Sequence, residues 1–189
     1  MDYNQIAEKL SHVLKPKRFK HSLGVSQSAA ELAARFGEDV DKAKLTGLLH
    51  DCARSLPNNN LLQMAEAFAI VMNDVELRQP ILLHAPIGAY LAKNEYGISD
   101  PQILNAIALH TTGGRDMGML DKIIYLADCI EPSRDFPGID KLRSLAFKDL
   151  DTAMLVAFDQ SLHYVIERSL LIHPATIEGR NYLLLKQST

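Results

Sequence analysis

The chain has 189 residues, of which 47% are hydrophobic and 23% charged, and its formal net charge at pH 7 is −3. This length and balance are typical of one globular domain with a sizeable core, and the slight negative charge gives no electrostatic basis for binding a DNA or RNA duplex or an anionic membrane. The sequence has no signal-peptide pattern, no apolar run of the roughly 20 residues that span a membrane and only two cysteines. These features predict a soluble, cytoplasmic protein.

Apolar residues in the first half of the chain recur at i, i+3 and i+4, which is the spacing of amphipathic helices. The predicted helices are 3–14, Pro16 to a glycine stop at Gly37, a helix capped by Asp39 that runs into His50, and Leu82 to Glu95 closed by Gly97. The stretch LPNNN, residues 56–60, predicts a break that supplies caps for the following helix.

The second half continues the helical pattern. The first predicted helix here is capped by Ser99-Asp100-Pro101 and ends at His110. The next runs from Leu120 to Ile130 and is stopped by Glu131-Pro132, and the last long helix runs from Asp149 to Leu171. Strand-type alternation is conceivable only near the C-terminus, over residues 181–186. The sequence therefore predicts an all-α fold.

Polar groups interrupt the apolar stripes of five helical segments. The residues concerned are His21, His50 with Asp51, His84, His110 and Asp128. Each histidine alone could be a core residue whose hydrogen bonds are satisfied. Each aspartate alone could cap a helix, pair with a basic side chain or face solvent. Together they bring several imidazoles and carboxylates toward one interior, where their polarity must be compensated. A metal cluster does so, and neutral imidazole with carboxylate suits iron, manganese, zinc, cobalt or nickel.

The cysteines and two other histidines give no sign of a further site. Cys52 and Cys129 each directly follow a candidate aspartate, and neighbours on a helix point about 100° apart, so both are predicted to pack in the core. His12 and His163 lie off the apolar stripes, which indicates surface positions.

The ordered set of His21, the adjacent His50-Asp51 pair and the distal Asp128 resembles the HD-domain metal-dependent phosphohydrolase superfamily. His84 and His110 resemble the additional histidines of HD proteins that hold two metals. From Arg18 to Arg143 the chain resembles the bacterial HD-domain symmetrical bis(5'-nucleosyl)-tetraphosphatases, in the stretches HDCARSLP, LLHAPIGAYLAKNEYGI and ALHTTGGRDMGMLDKIIYLADCIEPSRDFPGID.

The resemblance implies a single HD-type helical bundle over residues 1–189, with a metal site in its interior. The metal-binding core would span about 18–134, and the C-terminal helix and tail, 149–189, would pack on it. The implied cofactor is one or two divalent or trivalent transition-metal ions, with iron preferred and manganese or cobalt as alternatives. The implied metal ligands are His21, His50, Asp51 and Asp128 for the first metal and His84 and His110 for the second.

The activity that the resemblance implies is hydrolysis of diadenosine tetraphosphate into two ADP molecules. In this hypothesis a metal-bound hydroxide attacks an inner phosphorus, because metals lower the pKa of water and polarise phosphoryl oxygens. The catalytic groups would be Asp51, Asp128, His84 and His110.

Candidate substrate contacts surround these residues. Arg18 lies three residues before His21 on the same helix face, within KPKRFK at 15–20, which is otherwise a solvated helix start. Arg134 follows the Asp128 helix and suits phosphate, with a surface salt bridge as the alternative. The other expected nucleotide contacts are His21, His84, His110, Thr111 and His173. Thr111 lies in a glycine-rich loop that could also be an ordinary helix end. His173 would form a wall of an adenosine pocket.

Two other functions remain open from the sequence. The chain could be another HD-type nucleotide phosphohydrolase, acting on deoxynucleotides, cyclic nucleotides or guanosine tetraphosphate. It could also bind a nucleotide as a sensor without turnover, although no proposed ligand is missing. An exposed face of the last helix could serve a homodimer.

Overall fold

The computed structural model describes residues 1–187, and within that range it contains eleven α-helices, one 3₁₀ turn and no β-strand. The helices are α1 (Tyr3–Val13), α2 (Pro16–Phe36), α3 (Val40–Leu49), α4 (Asn58–Ala67), α5 (Asp74–Arg78), α6 (His84–Glu95), α7 (Pro101–Leu109), α8 (Met119–Ile130), α9 (Ile139–Ala146), α10 (Leu150–Glu167) and α11 (Pro174–Gln187), with the 3₁₀ turn at Pro80–Leu83. The all-α prediction is confirmed. The last two residues of the predicted tail, 188–189, lie outside the described residues.

Local signals set most of the helix ends. Asp2 and Gln5 form a reciprocal capping box at the start of α1, and the Asp39 side chain accepts the Lys42 backbone N–H at the start of α3. Gly37 ends α2 in the left-handed conformation, with φ of +75°. The asparagines of LPNNN form the first turn of α4 and do not cap it, because Pro57 occupies the cap position.

The long helix α2 packs against α3 and α8, and α6 and α7 pack side by side against the same core. Helices α2 and α3 approach most closely at Gly47, where a Cβ would lie 2.9 Å from the Cα of Ser26. This glycine, three residues before His50, lets α3 lie against the backbone of α2. The close approach brings the His50 end of α3 next to His21.

The C-terminal part differs from the prediction at the end of α10. Helix α10 ends at Glu167, not Leu171, because Ser169 adopts a left-handed φ of +52° and the Leu170 N–H turns back to the Val165 carbonyl. Residues 181–186, where the sequence left strand-type alternation open, belong to α11. Its buried positions, Thr176, Gly179 and Leu183, are spaced by three and four residues, as in a helix.

Helices α10 and α11 pack on the rest of the helical bundle. Phe158 of α10 is fully buried, and its ring lies 5.2 Å from the ring of Tyr125 on α8. Gly179 of α11 sits so close to the Gly114 carbonyl that a Cβ would lie 2.6 Å from it. No helix in the described range is both long and apolar enough to cross a membrane.

Candidate metal centre

Three of the four clustered histidines sit where a helix or turn has spare carbonyls. His50 follows α3, His110 follows α7, and His84 follows the 3₁₀ turn. The last carbonyls of a helix have no partner within it. In each case the Nδ1 of the imidazole faces the carbonyl three residues earlier, at 2.7 Å for His50 and His110. The apolar run before each histidine is therefore the helix or turn that positions it.

The fourth histidine, His21, lies inside α2, and its Nδ1 faces a carboxylate. Glu131 Oε1 lies 3.0 Å from it, and both side chains are buried. Since a carbonyl or carboxylate oxygen can only accept, all four Nδ1 atoms carry the hydrogen that they donate. In the neutral imidazole the Nε2 atom then presents a lone pair.

The four Nε2 atoms converge in the interior. The Nε2 atoms of His21 and His50 are 3.3 Å apart, and those of His84 and His110 are 3.1 Å apart. Neutral rings in this tautomer have no hydrogen to place between the paired nitrogens, so each pair of lone pairs needs a cation or an extra proton. Imidazole nitrogens beside carboxylates are a donor set that transition metals take, so these residues fit a metal centre.

Asp51 links the two histidine pairs. Its Oδ2 lies 3.4 Å from His50 Nε2 and 3.7 Å from His21 Nε2. Its Oδ1 lies 3.2 Å from His84 Nε2 and 3.6 Å from His110 Nε2. Burial would raise the pKa of the Asp51 carboxyl, but the neighbouring histidines hold it well below its usual range. One ionised carboxylate thus offers one oxygen to each pair.

Asp128 completes the cluster from α8. Its Oδ1 lies 3.0 Å from His21 Nε2 and 4.0 Å from His50 Nε2. Burial opposes ionisation, but the adjacent His21 and His50 and the charge of Arg134 lower the pKa of Asp128. Ligand atoms within 4.8 Å of one another form three overlapping groups, which are His21-His50-Asp51, His50-His110-Asp128 and Asp51-His84-His110. All six predicted ligands therefore meet in one place.

Two arginines bind carboxylate oxygens that also face the histidines. Arg18 donates to Asp51 Oδ2 at 2.7 Å. Arg134 donates from Nε to the backbone carbonyl of Asp128 at 2.8 Å, and from Nη2 to Asp128 Oδ1. Both guanidinium groups are about one third exposed. They line a groove of about 500 Å³ that also contains His21, Lys15 and Lys17. Glu131 and Asp135 also line the groove, so four cations and two carboxylates flank the approach from solvent to His21.

The glycine-rich loop has a packing role in addition to any contact with a ligand. The Thr111 hydroxyl lies 3.1 Å from His84 Nε2 and 3.0 Å from His110 Nε2, at the cluster itself. Gly113 has a φ of +64°, and a Cβ there would lie 2.5 Å from the ring of Phe158. The loop thus ends α7 and admits the C-terminal helices.

His173 is held by the segment before α6. Its Nε2 lies 2.9 Å from the Asn73 side-chain nitrogen and 3.6 Å from Glu76 Oε1. The interaction with His173 and a backbone hydrogen bond from Asn73 lower the pKa of Glu76 against the opposing effect of burial. The nucleotide contact expected of His173 stays a prediction.

The sequence reasoning missed two charged residues near the cluster. The sequence pattern marks Glu131 only as a helix stop, and no local signal ties it to a histidine 110 positions earlier. Arg54 lies three residues after Asp51 and is partly buried, and burial lowers its pKa while Asp51 opposes that effect. Helical spacing from Asp51 could have indicated Arg54.

The two cysteines are not part of the donor set. Cys52 is buried and Cys129 partly buried, and both pack in the core. Burial raises the pKa of each thiol to about 12, so neither offers a thiolate at neutral pH. The core position predicted for these cysteines agrees with the packing.

Comparisons with known proteins extend over nearly the whole chain. Residues 18–133 match the HD domain family. The chain is 38% identical over 170 residues to the symmetrical bis(5'-nucleosyl)-tetraphosphatase of Halalkalibacterium halodurans, covering 90% of each protein. It is 38% identical over 167 residues to the Bacillus subtilis protein of the same name, covering 88% of this chain and 89% of that relative. A crystal structure from Clostridium acetobutylicum, described as a predicted HD superfamily hydrolase involved in NAD metabolism, has 44% identity and a TM-score of 0.96 and covers 98% of both chains.

Proposed function

The chain belongs to the HD-domain family of phosphohydrolases, and on that premise we propose that it cleaves diadenosine tetraphosphate symmetrically into two ADP molecules. The observation that carries the proposal is the pair of Asp51 oxygens, each facing a different pair of histidines. Such a carboxylate can bridge two cations, and two-metal sites are a recurrent device for phosphoryl transfer. The names of the relatives from Halalkalibacterium halodurans and Bacillus subtilis support the substrate.

The metal ligands in this proposal are the six residues of the cluster. His21, His50, Asp51 and Asp128 would hold one ion, and His84 and His110 would complete a second site. Iron, manganese or cobalt are the candidate metals. When bound, the metals supply a water of lowered pKa and neutralise charge on the phosphoryl oxygens. The Nδ1 hydrogen bonds keep the four Nε2 lone pairs directed at the site.

The arginines of the groove bind the phosphate chain. Arg18 and Arg134 each use part of their guanidinium fork on a carboxylate, which orients the remaining N–H groups. Lys15 and Lys17 add positive charge farther along the groove. A tetraphosphate is long and strongly anionic, so one half of it can lie along these cations while an inner phosphorus lies at the cluster. Arg134 then neutralises charge on the departing ADP.

Other contacts complete the proposed substrate site. The Thr111 hydroxyl can donate to only one of the two Nε2 atoms that it faces, so it is available to a phosphate oxygen once those nitrogens have another partner. His173 is proposed as a wall of the adenosine pocket. A homodimer and a cytoplasmic location remain expectations.

The test is turnover of diadenosine tetraphosphate by metal-loaded protein, with the products separated and identified. We expect ADP as the sole nucleotide product, because symmetrical cleavage leaves two phosphates on each adenosine. AMP with ATP would contradict symmetrical cleavage. Preferred turnover of a deoxynucleotide, a cyclic nucleotide or guanosine tetraphosphate in the same panel would assign another HD activity, and nucleotide binding without turnover would assign a sensor.

A further inference from the structure

We propose that Glu131 is a positioning residue for His21, and that Gly24 is a glycine because it admits the Glu131 carboxylate. The inference rests on the metal centre proposed above. Its consequence is that the affinity of the chain for metal depends on a carboxylate that binds no metal itself.

The position of His21 explains why it needs such a partner. The other three histidines lie at the ends of helices or turns, where unpaired carbonyls accept their Nδ1 hydrogens. His21 lies well inside α2, where backbone carbonyls are engaged in the helix. Its Nδ1 therefore requires an acceptor from another element, and Glu131 at the end of α8 supplies it at 3.0 Å.

Glu131 is held firmly enough to orient a ring. It is 2% exposed, and its Oε1 accepts from the Ser133 hydroxyl at 2.5 Å in addition to His21. Its Oε2 accepts the Ser133 backbone N–H at 2.8 Å. Its two oxygens thus accept three hydrogen bonds, from the His21 ring, the Ser133 hydroxyl and the Ser133 N–H, which favours the carboxylate form. An anionic acceptor on Nδ1 increases the basicity of Nε2, the proposed donor to metal.

Gly24 provides the space for this carboxylate. It lies three residues after His21 in α2, and hence on the same face of the helix. A Cβ at Gly24 would lie 2.7 Å from Glu131 Oε2, a distance that real Cβ atoms essentially never show. An alanine there would force the carboxylate to move without changing its charge. The three-residue spacing of His21 and Gly24 in HSLG therefore places both residues against Glu131, which lies 110 residues after His21 in the sequence.

The experiment measures the affinity for Mn²⁺ by competition with a chelator in the full-length protein. We expect Glu131→Ala to lower the affinity by about 10- to 100-fold, the usual effect of losing the partner of a metal-bound histidine. Glu131→Gln keeps the volume and an acceptor for His21 but loses the charge, so a smaller loss is expected. Gly24→Ala should also lower the affinity, and Ser133→Ala, which leaves the carboxylate in place, should lower it less than Glu131→Ala.

A double-mutant comparison separates positioning from a general structural role. If Glu131 acts through His21, then Glu131→Ala lowers the Mn²⁺ affinity in the wild-type background and has little further effect in His21→Ala. An equal loss in both backgrounds, or wild-type affinity in Glu131→Ala, would overturn the inference while leaving the metal centre intact. A wild-type protein that binds none of Mn²⁺, Fe²⁺ and Co²⁺ would instead overturn the metal centre, and this inference with it. Circular dichroism of each metal-free variant checks that it is folded.

Discussion

His84 and His110 face each other with their Nε2 atoms 3.1 Å apart, although each ring donates its Nδ1 hydrogen to the carbonyl three residues earlier. The Thr111 hydroxyl has one hydrogen to share between these two acceptors, and the nearest carboxylate oxygen is that of Asp51. Without a cation, lone pairs therefore crowd together in a buried site. This arrangement stabilises a bound metal at the expense of the metal-free protein.

Metal binding should consequently stabilise the fold. An ion that binds only the native chain adds about 2.7 kcal/mol at a concentration 100 times its dissociation constant. We expect the thermal midpoint of chelator-treated protein to rise on addition of Mn²⁺, and the rise to be absent in Asp51→Asn. The measurement is thermal unfolding with and without metal, and an unchanged wild-type midpoint would contradict the prediction.

Arg18 should contribute to substrate binding more than to metal binding. A hydrogen bond to a charged group contributes about 1.5–3 kcal/mol, so Arg18→Gln should raise KM for diadenosine tetraphosphate about 10- to 100-fold. Metal content should be retained, since a guanidinium offers no lone pair to a metal and the substitution leaves all six candidate ligands in place. Lys20→Gln, an exposed position on the same helix, is the matched control and should change KM little. Equal KM values for the two variants would refute the role of Arg18.

The stability of the metal-free protein should fall below pH 6.5 because of His84. Burial lowers the pKa of His84 in the native state, whereas in the unfolded chain it is near 6.5. As the pH falls, the unfolded chain therefore binds a proton that the native state does not, and unfolding becomes more favourable. His21 has a raised pKa, despite burial, through Asp128 and Glu131, and acts in the opposite direction.

The test of this pH dependence uses His84→Gln, which removes the titrating group. Between pH 7.5 and 5.5 the free energy of unfolding in urea should decrease more steeply for the chelator-treated wild type than for the variant. Parallel pH dependences for the two proteins would show that His84 is not responsible.

Gly47 should tolerate no larger side chain. A Cβ there would lie 2.9 Å from Ser26 Cα and 3.0 Å from the Val25 carbonyl, and these backbone atoms cannot move cheaply. Gly47→Ala should destabilise the fold by about 1–3 kcal/mol, a typical effect of overpacking. Gly88→Ala is the control, because its Cβ would be in ordinary contact at 3.4 Å. Urea unfolding of both variants checks the prediction, which fails if they are equally stable.

Much of the fold was predictable because its signals are local. Gly37, Asp39 and Asp100 act within one turn of the helix ends that they mark. His21, Asp51 and Asp128 are implied as ligands by the family resemblance, whereas His50, His84 and His110 also carry a local signal, an apolar run that forms a helix or turn and is followed directly by histidine. That run supplies both the buried setting and the carbonyl for Nδ1.

Glu131, unlike Arg54, could not be identified from the sequence, because its contact lies far away along the chain. Glu131 meets His21 across 110 positions, and nothing around either residue encodes the pairing. The sequence left strand-type alternation open at 181–186 because the buried face of α11 is set by tertiary packing, as at Gly179, which lies against Gly114 and Phe158. Local alternation of side chains carries no information about such a partner.

Elemental analysis of purified wild-type, His50→Ala and His50→Gln proteins tests the metal centre most directly. The account predicts one or two transition-metal ions per wild-type chain after reconstitution, as a two-metal hydrolase requires, and a loss of bound metal in both variants. His163→Ala, at an exposed histidine, should retain the full content. Full metal content in folded His50→Ala, or a wild-type chain that takes up no metal, would contradict the assignment of the cluster.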